Sequence, residues 1–370
     1  MARCESLGAS QVAGVARATF GDRMGWSMQG RLALSRRRQD GRAADAILPL
    51  TERLLGRLPG PRVAWVLSWA AVPVAAGLLP GAYLATVGAK PLAVRLLIGL
   101  VFAYEVVLAV WAVGKFVSES EAVQRSVDQL AAPPGQTATP VFAGMASTCG
   151  PLALTLLFVA VTTWRTAVLG GLWAALRWLP VAVLVNLPLL TAVWVYLALL
   201  LGLARLGRRT LSLTAFPEDL SLGLGEVGRL AFTAFWIYGA GFAPVLVINF
   251  ANPLGLLLLL GLFLLGVVGF FGCLQGLHRQ LLTARRHFLD WAGQLYARAY
   301  EPIRSGSLAA LGEQAQLLQA AEVIHRRAEA IQEWPFQQRR LAQIAGIIGT
   351  VVTFVVTGII TRLILVRLGL

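Results

Sequence analysis

Apolar positions along this chain come in blocks of about twenty, separated by short, arginine-rich polar segments. A membrane-spanning helix needs about 20 apolar residues at roughly 1.5 Å rise each. The clearest arrangement is at the C-terminal end. Residues 254–276 are apolar, 278–340 are charged, and 344–365 are apolar again. This pattern predicts two spans joined by a long polar helical excursion. Five earlier blocks fit the same template. Residues 63–87 carry Pro73 and Pro80 as kinks, and residues 92–113 contain Glu105. Residues 152–170 are interrupted by Thr162, Thr163, Trp164 and Arg165, followed by Trp173, Arg177 and Trp178 as an interfacial belt before Pro180. Residues 181–203 and 230–250 complete the set, and Asn252-Pro253 turns into the next span. The expected fold is all-α: a polytopic membrane protein of about seven transmembrane helices, with a cytosolic antiparallel helical hairpin between the last two.

The polar excursion has its own period. Leu277, Leu281, Ala284, Phe288, Trp291, Leu295 and Arg298 recur at alternating four and three, as do Leu317, Ala321, Ile324, Ala328 and Ile331. Two such seams joined at Ser305-Gly306-Ser307, with Pro302 as the stop, predict an antiparallel coiled-coil hairpin over 277–340. Trp334, Pro335, Phe336, Arg339 and Arg340 close it and read as an interfacial anchor, with the aromatics in the headgroup layer and the arginines on an anionic leaflet.

The remaining segments follow from these. Residues 1–46 are basic with no apolar period, which predicts a disordered tail. Residues 47–61 read as an interfacial amphipathic helix. Residues 62–276 hold spans one to six, with cytoplasmic loops at 115–148 and 205–229, the first carrying Glu119, Glu121, Arg125 and Asp128 on a short helix. Residues 341–370 hold the last span.

Composition agrees with a membrane location. The chain is 57% hydrophobic and only 14% charged, against roughly 25% charged in soluble domains. The net charge of +14 is almost all arginine and sits between the spans. It is therefore a topology signal and not a nucleic-acid surface. The basic tail, the Arg205–Arg209 cluster and the hairpin on one side put the N-terminus in the cytoplasm and the chain in the inner membrane. Arg362 and Arg367 fit an external C-terminus poorly. Cys4, Cys149 and Cys273 have neither disulfide nor zinc spacing.

Two groups of words carry a resemblance. One is Gly276-Leu277-His278-Arg279 after the sixth span with Trp334-Pro335-Phe336 before the last. The other is Phe216-Pro217-Glu218-Asp219 with Leu222-Gly223-Leu224 before the fifth. Together they resemble a group of uncharacterised polytopic membrane proteins of bacteria and archaea, over roughly the C-terminal half. The resemblance implies a similar fold and no particular activity.

Few residues could carry chemistry. Glu105 lies near the middle of an apolar span, where a charge costs a few kcal/mol, so it is protonated, paired or facing a cavity. Asn186 is a candidate partner for it by interhelical hydrogen bonding. Glu218 and Asp219 could meet a cation or basic partner, or simply cap a turn. His278 and His287 are nine apart and His325 stands apart from both, so no metal site is expected. No cofactor is expected either. No H-E-x-x-H, G-x-S-x-G, Walker loop or strand-borne G-x-G-x-x-G occurs, and an enzyme is not expected. The sequence favours a non-enzymatic scaffold or signalling component that acts through its hairpin on a cytosolic or membrane protein or on its own copies. The alternative is an ion channel or transporter with Glu105 in the path. Nucleic acid is not an expected partner; the lipid bilayer is.

Overall fold

The computed structural model describes residues 48–79, 91–130, 141–209, 211, 221–250, 252–304 and 311–367. The expected tail at 1–46, Glu218 and Asp219, and the Ser305-Gly306-Ser307 turn lie outside them. The described residues from Pro49 onward belong to one unit and are helical, with no strand among them.

α1 (Leu50–Arg57) starts after Pro49 and buries Thr51 and Leu55. Its polar face binds protein: Arg53 donates to the Ala146 carbonyl at 2.9 Å, and Glu52 pairs with Arg62. Burial pushes the Glu52 carboxyl up, against the opposing pull of the Arg62 guanidinium. α2 (Arg62–Gly77) ends well short of the expected 63–87. Sixteen residues at 1.5 Å rise reach about 24 Å, less than the roughly 30 Å hydrocarbon core. Its end is held by Arg95, whose guanidinium donates to the Leu79 carbonyl, as basic groups do at helix C-termini.

α3 (Leu92–Leu130) is continuous through the expected boundary at 115. The separate short helix predicted there is its last third. Lys115 pairs with Glu119 at 3.1 Å and Gln124 donates to Asp128 at 2.8 Å, i,i+4 contacts that carry a helix through polar sequence. Val123 and Val127 are buried.

A 3-10 turn (Ala143–Ala146) leads into α4 (Cys149–Leu206), which breaks once, at Gly171 with φ 82. A β-carbon on Gly150 would run into the Trp194 ring, and Trp194 Nε1 donates to the Gly144 carbonyl at 3.0 Å. At 1.5 Å per residue both positions are about 30 Å from Gly171 along the chain, so the arms 149–170 and 172–206 fold back antiparallel. Glycine takes the left-handed φ the reversal needs without a β-carbon penalty. Pro180, expected to end the interfacial segment, lies inside the second arm with Pro188.

α5 (Gly225–Ile248) is followed by Asn252, whose Oδ1 accepts the Gly255 N–H at 3.1 Å and caps α6 (Pro253–Arg304). α6 runs unbroken for 52 residues, about 78 Å, passing Pro302. α7 (Leu311–Ala330) packs back on its distal half. Arg285 meets Glu333 at 2.5 Å, and Tyr296 donates to Glu322, so α6 residue numbers fall as those opposite them rise. Ala292, Ala299, Ala321 and Ala328 are buried in this contact, whereas Trp291 is exposed and so is Arg298. The expected seam is therefore one residue off beyond Phe288. A straight helix turns every 3.6 residues and drifts about 20° per heptad from a strict seven-residue repeat.

α8 (Gln338–Arg367) lies parallel to α5. Gly228 faces Pro335, Gly239 faces Ile347 and Gly358 faces Phe250, a constant offset along both helices.

α3, α4, α5, α6 and α8 are long and apolar enough to cross a membrane, five helices among the described residues. That is compatible with a multi-pass membrane protein. Leu254, Leu258, Leu262, Leu265 and Val268 of α6 are each more than half exposed, an apolar face that a water-soluble chain would have to cover.

Candidate functional site at the base of the helical pair

The polar half of α6, with α7 packed on it, meets the other helices at a junction built largely from glycine. Gly207, just past the end of α4, lies against Gly276 backbone to backbone: a β-carbon on Gly276 would come 2.6 Å from the Gly207 carbonyl oxygen. Gln280, one turn on, donates to the carbonyls of Gly207 at 2.9 Å and Arg209 at 2.7 Å, satisfying groups that a helix end leaves without partners. On the opposite flank His278 stacks on Trp334, centroids 4.2 Å apart and planes 13° apart. Its Nδ1 is 2.7 Å from the Glu333 carbonyl, which makes Nδ1 the protonated nitrogen.

The segment before α8 completes the contact. The Pro335 carbonyl lies where a β-carbon on Gly228 would go. Phe336 is buried and stacks on Phe270 at 6.2 Å, while Trp334 meets the edge of Phe271 at 5.4 Å. Pro335 and Phe336 are therefore buried against protein; a proline carbonyl needs a neighbour with no side chain, and Gly228 supplies it. Leu222, at φ 53, is buried with Leu224, and Ser126 donates to the Gly223 carbonyl at 3.0 Å. The words Gly276-Leu277-His278, Trp334-Pro335-Phe336 and Leu222-Gly223-Leu224, far apart in sequence, thus gather at one level of the fold. Sequence reasoning missed Gly207, Gly228, Gln280 and Glu333. Their signal was weak, lone glycines at helix ends and a glutamine one turn beyond an apolar block.

The candidates on the apolar helices are arranged differently. Glu105 points toward α5, where a β-carbon on Gly241 would come 3.6 Å from its Oε2. Its Oε1 is enclosed without a hydrogen-bond partner. Asn186 is buried and its Nδ2 donates to the Ala182 carbonyl of its own helix at 2.7 Å. The structure therefore shows that amide on its own turn and not on Glu105. Tyr196, which the sequence did not single out, also has an enclosed hydroxyl without a partner, and its ring stacks on Tyr238 at 5.6 Å. Among the described residues no three His, Cys, Asp or Glu side chains are grouped to hold a metal. Arg339 is exposed, and Arg340 lies over the Phe232 ring, 5.6 Å from its centroid.

No family model, curated protein or solved structure matches this chain. The functional reading therefore rests on geometry.

Proposed function

We propose that this is an inner-membrane scaffold or signalling component, with no enzymatic activity of its own, which acts through the α6–α7 pair on a cytosolic or membrane protein partner. The supporting observation is the junction. α6 passes without a break from its apolar half to its polar half, and Gly276, His278 and Gln280 fix its midpoint against α4 and the segment before α8. A movement of the membrane helices is then carried into the polar arm, and an event on the arm is carried back. In this reading the chain crosses the membrane seven times from a cytoplasmic N-terminus: α2, whose shortfall local thinning of the bilayer accommodates, then α3, the two arms of α4, α5, the apolar half of α6, and α8. The α6–α7 pair is a cytosolic coiled-coil hairpin. Trp164, Arg165, Trp173 and Arg177 flank the Gly171 reversal at the external headgroup level, as aromatic and basic side chains do.

The test is a photo-reactive residue at position 291, on the exposed face of the hairpin, in the full chain in cells. A discrete adduct is expected there and none from a photo-reactive leucine at the buried position 281. Equal, diffuse labelling from both would overturn the reading.

One observation favours a second reading, an ion channel or transporter. An enclosed carboxyl oxygen without a partner inside a span is costly unless a proton or cation visits it. Ion flux in proteoliposomes that falls at least about tenfold on Glu105→Gln, the general acid–base scale being larger still, would support this reading. Equal flux, or none, in both would remove it.

A further inference from the structure

α5 and α8 leave an open groove between them of about 620 Å³, a size that suits a small amphiphile. Phe232, Trp236, Gly239, Ala240 and Ala243 form one wall and Gln343, Gly346, Ile347, Thr350 and Val351 the other. From Phe232 to Ala243 it runs eleven residues, about 16 Å. Half of a hydrocarbon core of about 30 Å is about 15 Å, so the groove has the depth of one leaflet. Apart from Gln343, three residues from Arg340, its walls are apolar or small, and Thr350, whose hydroxyl donates to Gly346 of its own helix at 2.9 Å, presents no unmet polar group.

The mouth of the groove is charged. Arg340 lies over Phe232, the first residue of the wall. No ion pair among the described residues involves Arg340, whereas Arg229, three residues before Phe232 on α5, is matched by Glu226 at 2.5 Å. An uncompensated guanidinium at the junction end, with an apolar trough leading from it toward the bilayer centre, has the two halves of a phospholipid site. We propose that this groove holds one acyl chain of an anionic phospholipid, with the lipid phosphate on Arg340.

This rests on the membrane placement proposed above, but on neither the scaffold nor the transport reading. The small residues Gly239, Ala240, Ala243 and Gly346 could instead admit a helix of a second copy. Charge argues against that occupant. Copies with the same topology pair about an axis along the membrane normal, so the same patch of each lies at one depth. Both Arg340 guanidinia would then sit at one level of a single contact, and the groove lining has no carboxylate to offset them. A phosphate instead accepts the guanidinium fork in two parallel hydrogen bonds.

The experiment is native mass spectrometry of the detergent-purified full chain with equimolar phosphatidylglycerol and phosphatidylcholine. Wild type is expected to retain one phosphatidylglycerol with at least about fivefold preference, the scale of one basic side chain on an anionic lipid. Arg340→Gln is expected to bring the preference to parity and Arg340→Lys to keep most of it. Ala243→Phe, which fills an open trough without touching the packed interior, is expected to remove the retained lipid. Unchanged preference in Arg340→Gln, or unchanged retention in Ala243→Phe, would overturn the proposal. So would a lipid-free dimer that Ala243→Phe dissociates, which assigns the groove to a second copy. Carbonate extraction of the membranes from which each variant is purified separates this failure from failure of the membrane placement, because an integral chain stays in the vesicle pellet whatever its lipid.

Discussion

Single residues decide the junction, and glycine decides most of it. Gly276→Ala would place a β-carbon 2.6 Å from the Gly207 carbonyl oxygen, closer than a carbon and an oxygen approach. The helices must part, at a cost of about 1–3 kcal/mol for an overpacked contact. Gly272, one turn earlier on the same helix, has nothing within 4 Å of a β-carbon. Gly272→Ala is expected to be neutral or to gain about 0.5–1 kcal/mol from helix propensity. Thermal unfolding in detergent compares the two: a lowered Tm for Gly276→Ala alone is the expected result, and equal Tm values would mean that the close approach carries no energy. This contrast was invisible in the sequence, where both are glycines near the end of an apolar block. Glu105 was legible because a carboxylate among apolar residues stands out by itself. Asn186 was legible as a buried amide, but its acceptor, the carbonyl one turn back, depends on a side-chain direction that spacing does not give.

At the scale of elements, hydropathy showed the apolar helices, because twenty apolar residues in a row have few other uses. It failed where composition does not change at a boundary. α3 continues past 115 because i,i+4 pairs sustain the helix after the apolar run stops. The α4 reversal at Gly171 comes where the 152–170 block ends, a boundary that Trp164, Arg165, Trp173 and Arg177 already marked, but the return arm starts at once and not after Pro180. On α6 beyond Phe288 the buried positions, Ala292 and Ala299, lie one residue past those the period marked. Ala292→Leu is expected to force the two helices apart and destabilise their pairing by about 1–3 kcal/mol. Trp291→Ala, at an exposed position, should stay within about 0.5 kcal/mol. Hydrogen exchange over residues 285–330 distinguishes them; the reverse order would restore the register read from the sequence. The distal clasp titrates. The hydrogen bond from Tyr296 and the Arg326 guanidinium hold the Glu322 carboxyl below its ordinary value. A depressed carboxyl contributes stability that is present above its unfolded pKa and lost as pH falls through the folded one. Exchange in the hairpin is therefore expected to rise below about pH 4, the ordinary carboxylate range, and to become less pH-dependent in Glu322→Gln. An identical acid profile in that variant would place the titrating group elsewhere.

For the molecule as a whole, the chain links a bundle of apolar helices to a long polar arm through backbone contacts and one histidine–tryptophan stack. Local periodicity could not reveal that link, because residues from four separate helical segments and the connection before α8 build it. It leaves the arm continuous with the apolar half of α6 and held at its base by close backbone contacts. The most direct measurement of this coupling is photo-cross-linking from position 291 in the full chain, with and without Gly276→Leu, in cells where both variants insert to equal levels. Coupling predicts a discrete adduct in the wild type that is lost or redirected in Gly276→Leu, although the α6–α7 contact itself is untouched. An adduct of the same partner and yield in both would contradict it and leave the hairpin an independent module.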